Sequence, residues 1–474
     1  MLKYVRARGR AGWLIVVGAF VAACSEHVLE GTPAGDGPGG ERQNDDASGR
    51  AIGGWARRGE GGPGAALALD ASIPGYGAAG DAASSDGETS VEDPADSGDA
   101  SVDVPIDTAP PFVSYDINQV LTTGQSLAVG AMGDPVLSPT QPFDNLMFGS
   151  GVYGWEFGLW ELLPLVEDWH ETMSSGFANH VSLTSQTDFS RPHTMLVSIH
   201  AAGGTPYSGI KKGTFFYDLG IKQAAAGHAR AADLGKTHVV RAVTIVHGES
   251  DAAENNTHYA DDMIEFQKDY ETDVTAATGQ SLPIPLIQTQ MSAIQECTIP
   301  LQQLDAHLRA PGKVILVGPK YHLPYADPLH LTNHGYFHMG EDYAKVYRRV
   351  ILEGGTWEPL RPKSITRSGD TITVVYYVPA PPLAIDDTLV PATPGRGFVF
   401  TDGTDSPPTV TSVSVVAPDT VRIVLSQAPA GPGTLSYALA TDPPRGNIRD
   451  SDATPSRGGY ALYNWSVQFR SAVP

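Results

Sequence analysis

Cysteine is nearly absent: Cys24 and Cys297 are the only two in 474 residues. Two thiols cannot build a disulfide framework or a cysteine-rich metal site, which excludes a zinc finger and a stapled mini-domain. Basic residues are scarce as well. The 31 Lys and Arg face 53 Asp and Glu, for a formal charge of −22. A nucleic-acid backbone needs a surplus of cationic side chains on one face, so it is excluded as a partner. The apolar run at 11–23 is too short for a spanning helix, which needs roughly 20 residues. With 52 Gly and 37 Pro, a purely helical protein is excluded too. What is present is a hydrophobic fraction of 41 %, enough for a sizeable core, on a chain long enough for two or three domains.

The first 24 residues read as an address. Lys3, Arg6, Arg8 and Arg10 precede the apolar run, which ends Val21-Ala22-Ala23-Cys24. That ending resembles a bacterial lipobox, in which the cysteine is lipidated and becomes the mature N-terminus. The resemblance implies a membrane partner reached through a lipid on Cys24, without a spanning helix. Ser25 after the cysteine resembles an outer-membrane signal; plain secretion is the alternative. Residues 25–110 hold 17 acids and 4 arginines, a net −13, with few large apolar side chains. Such a segment buries too little surface to offset its chain entropy, and is expected to be a disordered, self-repelling acidic tether.

Two folded regions are expected beyond it, 111–355 and 356–474. In the first, strand patterns at 117–122, 195–200, 239–246, 284–289 and 313–317 alternate with helix patterns at 215–234, 259–277 and 335–352. Strands alternating with helices predict a parallel sheet covered on both faces, a three-layer α/β/α sandwich. In such sheets the site lies beyond the carboxyl ends of the strands. From 356 onward, β-rich runs at 371–378, 409–416, 420–425 and 434–439 are separated by Pro, Gly and Asp. They predict a small antiparallel β-sandwich, packed against the first region.

Four segments carry candidate chemistry. Thr123-Gly124-Gln125-Ser126 follows the first strand, at a predicted strand-to-helix turn that would present the serine hydroxyl at the sheet edge. Gly203-Gly204-Thr205-Pro206 follows the second, with backbone N–H groups free to meet a developing oxyanion. His247-Gly248-Glu249-Ser250-Asp251 follows the third, with Ser250 as a rival nucleophile and the two acids as alternative helix caps. Asp327-Pro328-Leu329-His330 precedes the last helix; an Asp three residues before a His can orient the imidazole so that its other nitrogen takes a serine proton. His334 and His338 continue an i, i+4 spacing from His330, but no clear acidic or cysteine ligands accompany them. No metal or organic cofactor is expected.

Taken together, the four segments in this order resemble the SGNH hydrolase superfamily, and within it carbohydrate esterases akin to sialate O-acetylesterases and acetylxylan esterases. The resemblance covers roughly 115–352. It implies Ser126 as nucleophile, His330 as base and Asp327 as the orienting acid. The Ser126 amide and an amide at Gly203 or Gly204 would form the oxyanion hole, and Gln125, Glu249 and Ser250 would support the site. One departure stands out: His247 occupies a position where the subgroup usually has Gln, and Ser250 stands where the wider superfamily has an Asn donor. His247 is the expected third oxyanion donor. The implied activity is removal of O-acetyl groups from carbohydrate through an acyl-enzyme, with extracellular polysaccharide as the partner. A serine esterase on lipid, aryl or polyester substrates remains an alternative, as does a non-catalytic surface protein. Because a histidine base must be neutral, activity is expected to fall below about pH 6. Tyr153, Trp155, Trp160 and Tyr207 are candidates for a sugar-stacking platform, with burial in the core as the plainer expectation for most of them. Cys297 is expected to be an inert thiol.

Overall fold

The computed structural model describes residues 112–474. The leader, Cys24 and the acidic tether lie outside the described residues. The chain enters at β1 (Ile117–Gly124) and continues through β2 (Leu146–Phe148), β3 (Leu162–Pro164), α1 (Met173–Phe189), β4 (Met195–Ile199), α2 (Tyr207–Ile210) and α3 (Phe215–Asp233). It then passes β5 (His238–Val246), α4 (Glu249–Ala253), α5 (Tyr259–Thr278), β6 (Leu286–Gln290), α6 (Ile299–Arg309), β7 (Val314–Pro319) and α7 (Asn333–Tyr347). Seven strands form one sheet in the order β3-β2-β4-β1-β5-β6-β7. Every pairing in it is parallel except β2 with β3.

Strands covered on both faces read as continuous apolar runs, and β1 and β5 are buried at every position. Successive side chains of β1 go to opposite cores. Val120 joins Phe177, Val181, Tyr336 and Tyr343 from α1 and α7. Leu121 joins Tyr217, Ala224, Phe266 and Tyr270 from α3 and α5. Cys297 packs half-buried against that second core. The result is the expected three-layer α/β/α architecture.

The register fixes where a site can form. Gly124 at the end of β1 pairs with Val246 at the end of β5, and Thr122 pairs with Ile199 at the end of β4. The chain leaves β1 toward β2 and β4 on one side and returns to β5 on the other. That reversal splits the loops above β1 into a crevice.

The C-terminal region is antiparallel throughout. It comprises β8 (Arg361–Ser368), β9 (Thr371–Tyr377), β10 (Ala384–Ile385), β11 (Phe398–Thr401), β12 (Val410–Ala417), β13 (Thr420–Leu425), β14 (Gly433–Tyr437), β15 (Ile448–Arg449) and β16 (Phe469–Val473). A sheet ordered β12-β13-β9-β8 and one ordered β11-β14-β16 share a core of Ile372, Val374, Ile423, Phe400, Tyr437 and Phe469. Tyr321, from the loop after β7, sits in the same core and donates to Ser466 O at 2.7 Å. Gln290 at the end of β6 exchanges two bonds with the Gln468 backbone, at 2.9 and 2.7 Å.

Candidate active site

Gly124 brings the chain out of β1 with φ +133°, and a Cβ there would stand 2.2 Å from Val246 O. Only glycine can make this exit beside β5. Ser126 follows, half-buried. The expected helix after it is absent: residues 126–132 form successive turns, tied by Ala128 N and Val129 N to Gln125 O and by Ala131 N to Ser126 O. Glycines at 130 and 133 keep this segment pressed against the Glu171 carbonyl, which a Cβ at either position would meet at 2.4 Å.

His330 and Asp327 arrive on the loop between β7 and α7. Thr332 caps α7 by accepting from Gly335 N at 3.1 Å, so the helix starts at Asn333 and leaves His330 outside it. Asp327 Oδ1 accepts from the backbone of Leu329 and His330, at 2.7 and 2.6 Å, which curls the loop around the carboxylate. Its Oδ2 stands 2.9 Å from His330 Nδ1. A carboxylate only accepts, so Nδ1 carries the proton and Nε2 presents its lone pair. That lone pair meets Ser126 Oγ at 3.0 Å. Partial burial pushes the Asp327 carboxyl up, but the bonds from His330 and Leu329 outweigh it and hold the group below the ordinary carboxylate range. The three side chains thus form an unbroken relay across 204 residues of sequence. Chemically it can deprotonate a hydroxyl and return the proton to a leaving group.

Gly203 lies beside the serine, where an added Cβ would stand 3.8 Å from Ser126 Cβ. Gly204 takes φ +70° and faces open space. His247 does not serve as the expected third donor. It is buried, its Nε2 bonds Thr205 O at 2.9 Å and its Nδ1 bonds Tyr259 Oη at 2.9 Å, so both ring nitrogens are occupied. Because Thr205 O only accepts, Nε2 is the protonated nitrogen and Nδ1 accepts from the tyrosine. Burial also pushes the imidazole pKa down, keeping the ring neutral. The ring therefore anchors the glycine loop. Asp251, read in sequence at most as a helix cap, completes the anchor: its Oδ2 accepts from Tyr207 N at 2.9 Å, just past Pro206.

The supporting residues interlock. Gln125 is buried and accepts from Ser250 N at 3.1 Å, joining the serine turn to the loop after β5. Glu249 pairs with Lys320 at 2.9 Å, both almost wholly buried. Lys320 was not anticipated. Its one signal is position, directly after an apolar strand, the same cue that marks His247. Ser250 is half-buried, and it is Ser126 that meets the imidazole. Of the candidate sugar-stacking aromatics, Tyr153 and Tyr207 are buried, Trp155 packs on the core and Trp160 is exposed. The histidines of the i, i+4 series separate: His334 bonds Tyr460 Oη at 2.7 Å, and His338 faces His322 and Asp342.

Residues 164–349 match the model of a carbohydrate esterase family, the sialic acid-specific acetylesterases. The match takes in the glycine loop, the segment after β5 and the Asp327–His330 pair, and begins after Ser126. The chain is a carboxylic ester hydrolase. Solved structures similar to this esterase include a carbohydrate acetylesterase from Xanthomonas citri, 13 % identical, covering 74 % of this chain and 80 % of that one with a TM-score of 0.49. An Arabidopsis thaliana protein is 21 % identical over 48 % of this chain and 97 % of its own, with a TM-score of 0.38. A carbohydrate acetylesterase from Sinorhizobium meliloti is 12 % identical over 48 % and 97 %, with a TM-score of 0.28. No curated protein matches the esterase.

Proposed function

We propose that the esterase removes O-acetyl groups from carbohydrate outside the cell, by a serine mechanism through an acetyl-enzyme. The observation that carries this reading is the relay from Asp327 through His330 to Ser126, with bonds of 2.9 and 3.0 Å. Ser126 Oγ attacks the ester carbonyl while His330 Nε2 accepts its proton. The tetrahedral oxyanion is met by the Ser126 amide and by an amide of Gly203 or Gly204. Collapse passes the proton to the departing sugar alkoxide and leaves acetyl on Ser126. A water deprotonated by the same nitrogen then attacks the acetyl carbon, releasing acetate and restoring the hydroxyl. Asp327 holds the tautomer and stabilises the imidazolium formed in each half-reaction.

The carbohydrate and acetyl parts of the reading are supported by the family match at 164–349. The location is supported by the leader pattern ending at Cys24, which would place the esterase on a lipid anchor in a bacterial envelope, at the outer membrane, with plain secretion as the alternative. The acidic segment 25–110 would then let it reach a polymer. The decisive experiment is labelling with a fluorophosphonate probe alongside acetate release from an acetylated polysaccharide. Both are expected in the wild type and lost in Ser126→Ala. Labelling that survives the substitution overturns the site, and turnover confined to long-chain aryl esters overturns the substrate.

A further inference from the structure

Away from the serine, the loop after β7 and the buried face of α7 bring together His322, His338 and Asp342. Ligand atoms, one from each residue, lie within 4.8 Å of one another. His322 Nε2 donates to Asp342 Oδ2 at 3.3 Å, and His338 Nε2 lies 3.9 Å from the same oxygen. Metal bonds of about 2.0–2.1 Å to nitrogen and oxygen set ligand-to-ligand edges of about 3.3 Å around a tetrahedral ion, so the pocket needs little adjustment to close on one.

A second observation is independent of that proximity. Each residue carries a buried polar atom without a hydrogen-bond partner among the described residues: His322 Nδ1, His338 Nε2 and Asp342 Oδ1. His338 and Asp342 are each 7 % exposed, and the unpartnered His338 nitrogen points into the cluster. Of the three, His322 Nδ1 and Asp342 Oδ1 lie on the sides turned away from the cluster, whereas His338 Nε2 faces Asp342 Oδ2. Buried polar atoms of native proteins are almost always paired, so this one calls for a missing partner that accepts its lone pair. Aromatic rings close the pocket from outside. Tyr460 stacks on His338 at 4.8 Å and Trp465 on His322 at 5.6 Å. Lys345 does not compete for the spot. Its ammonium is held by Asp452 Oδ2, Asn464 Oδ1 and Leu462 O, and it reaches Asp342 only on the far oxygen, Oδ1, at 3.6 Å. That is where a partner of a metal-bound carboxylate belongs.

We propose that His322, His338 and Asp342 bind a divalent transition-metal ion, zinc by the chemistry of two imidazoles and one carboxylate, with a position left for water. The ion would be structural. It would pin the loop that carries Asp327 and His330 to α7 and, through Trp465 and Tyr460, to the C-terminal region, without touching Ser126. The inference does not rest on the carbohydrate reading, since it is tested by metal content and stability alone.

The experiment is to strip the purified chain with a chelator, dialyse it against zinc chloride, and measure bound zinc by mass spectrometry and Tm by calorimetry. One zinc per chain is expected, with a Tm higher by a few degrees than the stripped protein. His338→Ala and Asp342→Asn should each lose both effects. Should either fail to fold, His322→Gln replaces it, and cobalt(II) bound to the wild type supplies a visible absorption band of four-coordinate shape. Less than a tenth of an equivalent in the wild type, or a full equivalent kept by the ligand variants, overturns the proposal.

Discussion

Asp327 shows how a few bonds decide the state of a side chain. Three donors, two from backbone amides and one from the imidazole, hold its carboxyl ionised below the ordinary range despite partial burial. It therefore stays charged across the neutral range, and an acid limb of the rate profile near neutrality belongs to another group. Asp327→Asn keeps the shape and loses the charge. Its kcat is expected to fall by roughly 10²–10⁴ with little change in Tm, as read by acetate release and calorimetry. Gly124 makes the opposite case, where shape is everything. A methyl group there meets Val246 O at 2.2 Å in a backbone region costly to other residues. Gly124→Ala is expected to lose fluorophosphonate labelling and at least about 1–3 kcal/mol of stability in urea unfolding. His247 falls between the two. Its removal frees Thr205 O, so His247→Ala should lower kcat through a displaced glycine loop while leaving Ser126 able to react slowly with the probe.

At the scale of elements, the wall beside the serine turn holds a buried proton. Glu167 and Glu171 both precede α1, and Glu171 accepts from Leu137 N, Ser138 N and the Ser138 hydroxyl. Complete burial, and then the neighbouring Glu171, push the Glu167 carboxyl up to about 8, against the opposing bonds from Thr172 and Ser175. The folded protein thus keeps a proton that the unfolded chain gives up near its ordinary value of 4.5. Between those two points the folded state holds more protons, so rising pH destabilises it. Wild-type Tm is expected to drop between about pH 4.5 and 8, and Glu167→Gln should remove that part of the drop. A flat wild-type curve would rule the mechanism out.

The same helix explains a gap in the sequence reading. Most positions of α1 are buried, and Ser174, Ser175, Ser182 and Ser185 lie inside with Phe177 and Val181. A helix buried all round shows no polar stripe, and serine is a poor helix former, so neither periodicity nor propensity marks it. β2 and β3 have three residues each and are too short to show a pattern. By contrast β1, β5 and α5 were legible, because long buried strands and an amphipathic helix with a glycine stop at Gly279 leave strong signatures.

Across the whole molecule, what sequence order conveyed was which residues end up beside one strand end; what it withheld was how their side chains bond. Ser126, His330 and Asp327 each follow a strand or precede a helix, and the sheet order brings them together. The roles of His247, Asp251 and Lys320 depend on partners between about 40 and 70 residues away, which no local pattern encodes. Likewise the β-rich runs at 371–378 and 420–425, set off by turn residues, were legible and match β9 and β13, while β16 lies in a stretch whose burial is set by Gln290 and β14.

That last docking has a practical outcome. Trp465 is 2 % exposed, Tyr321 lends its ring to the sandwich core, and Lys345 finds its acceptors on residues 452–464. A truncated product stopping after α7 would carry an uncapped ammonium, a stranded tyrosine and a bare glutamine at the tip of β6. Cloning such a minimal fragment should give inclusion bodies where the longer product stays in the supernatant, because residues 348–474 complete the wall behind the histidine loop.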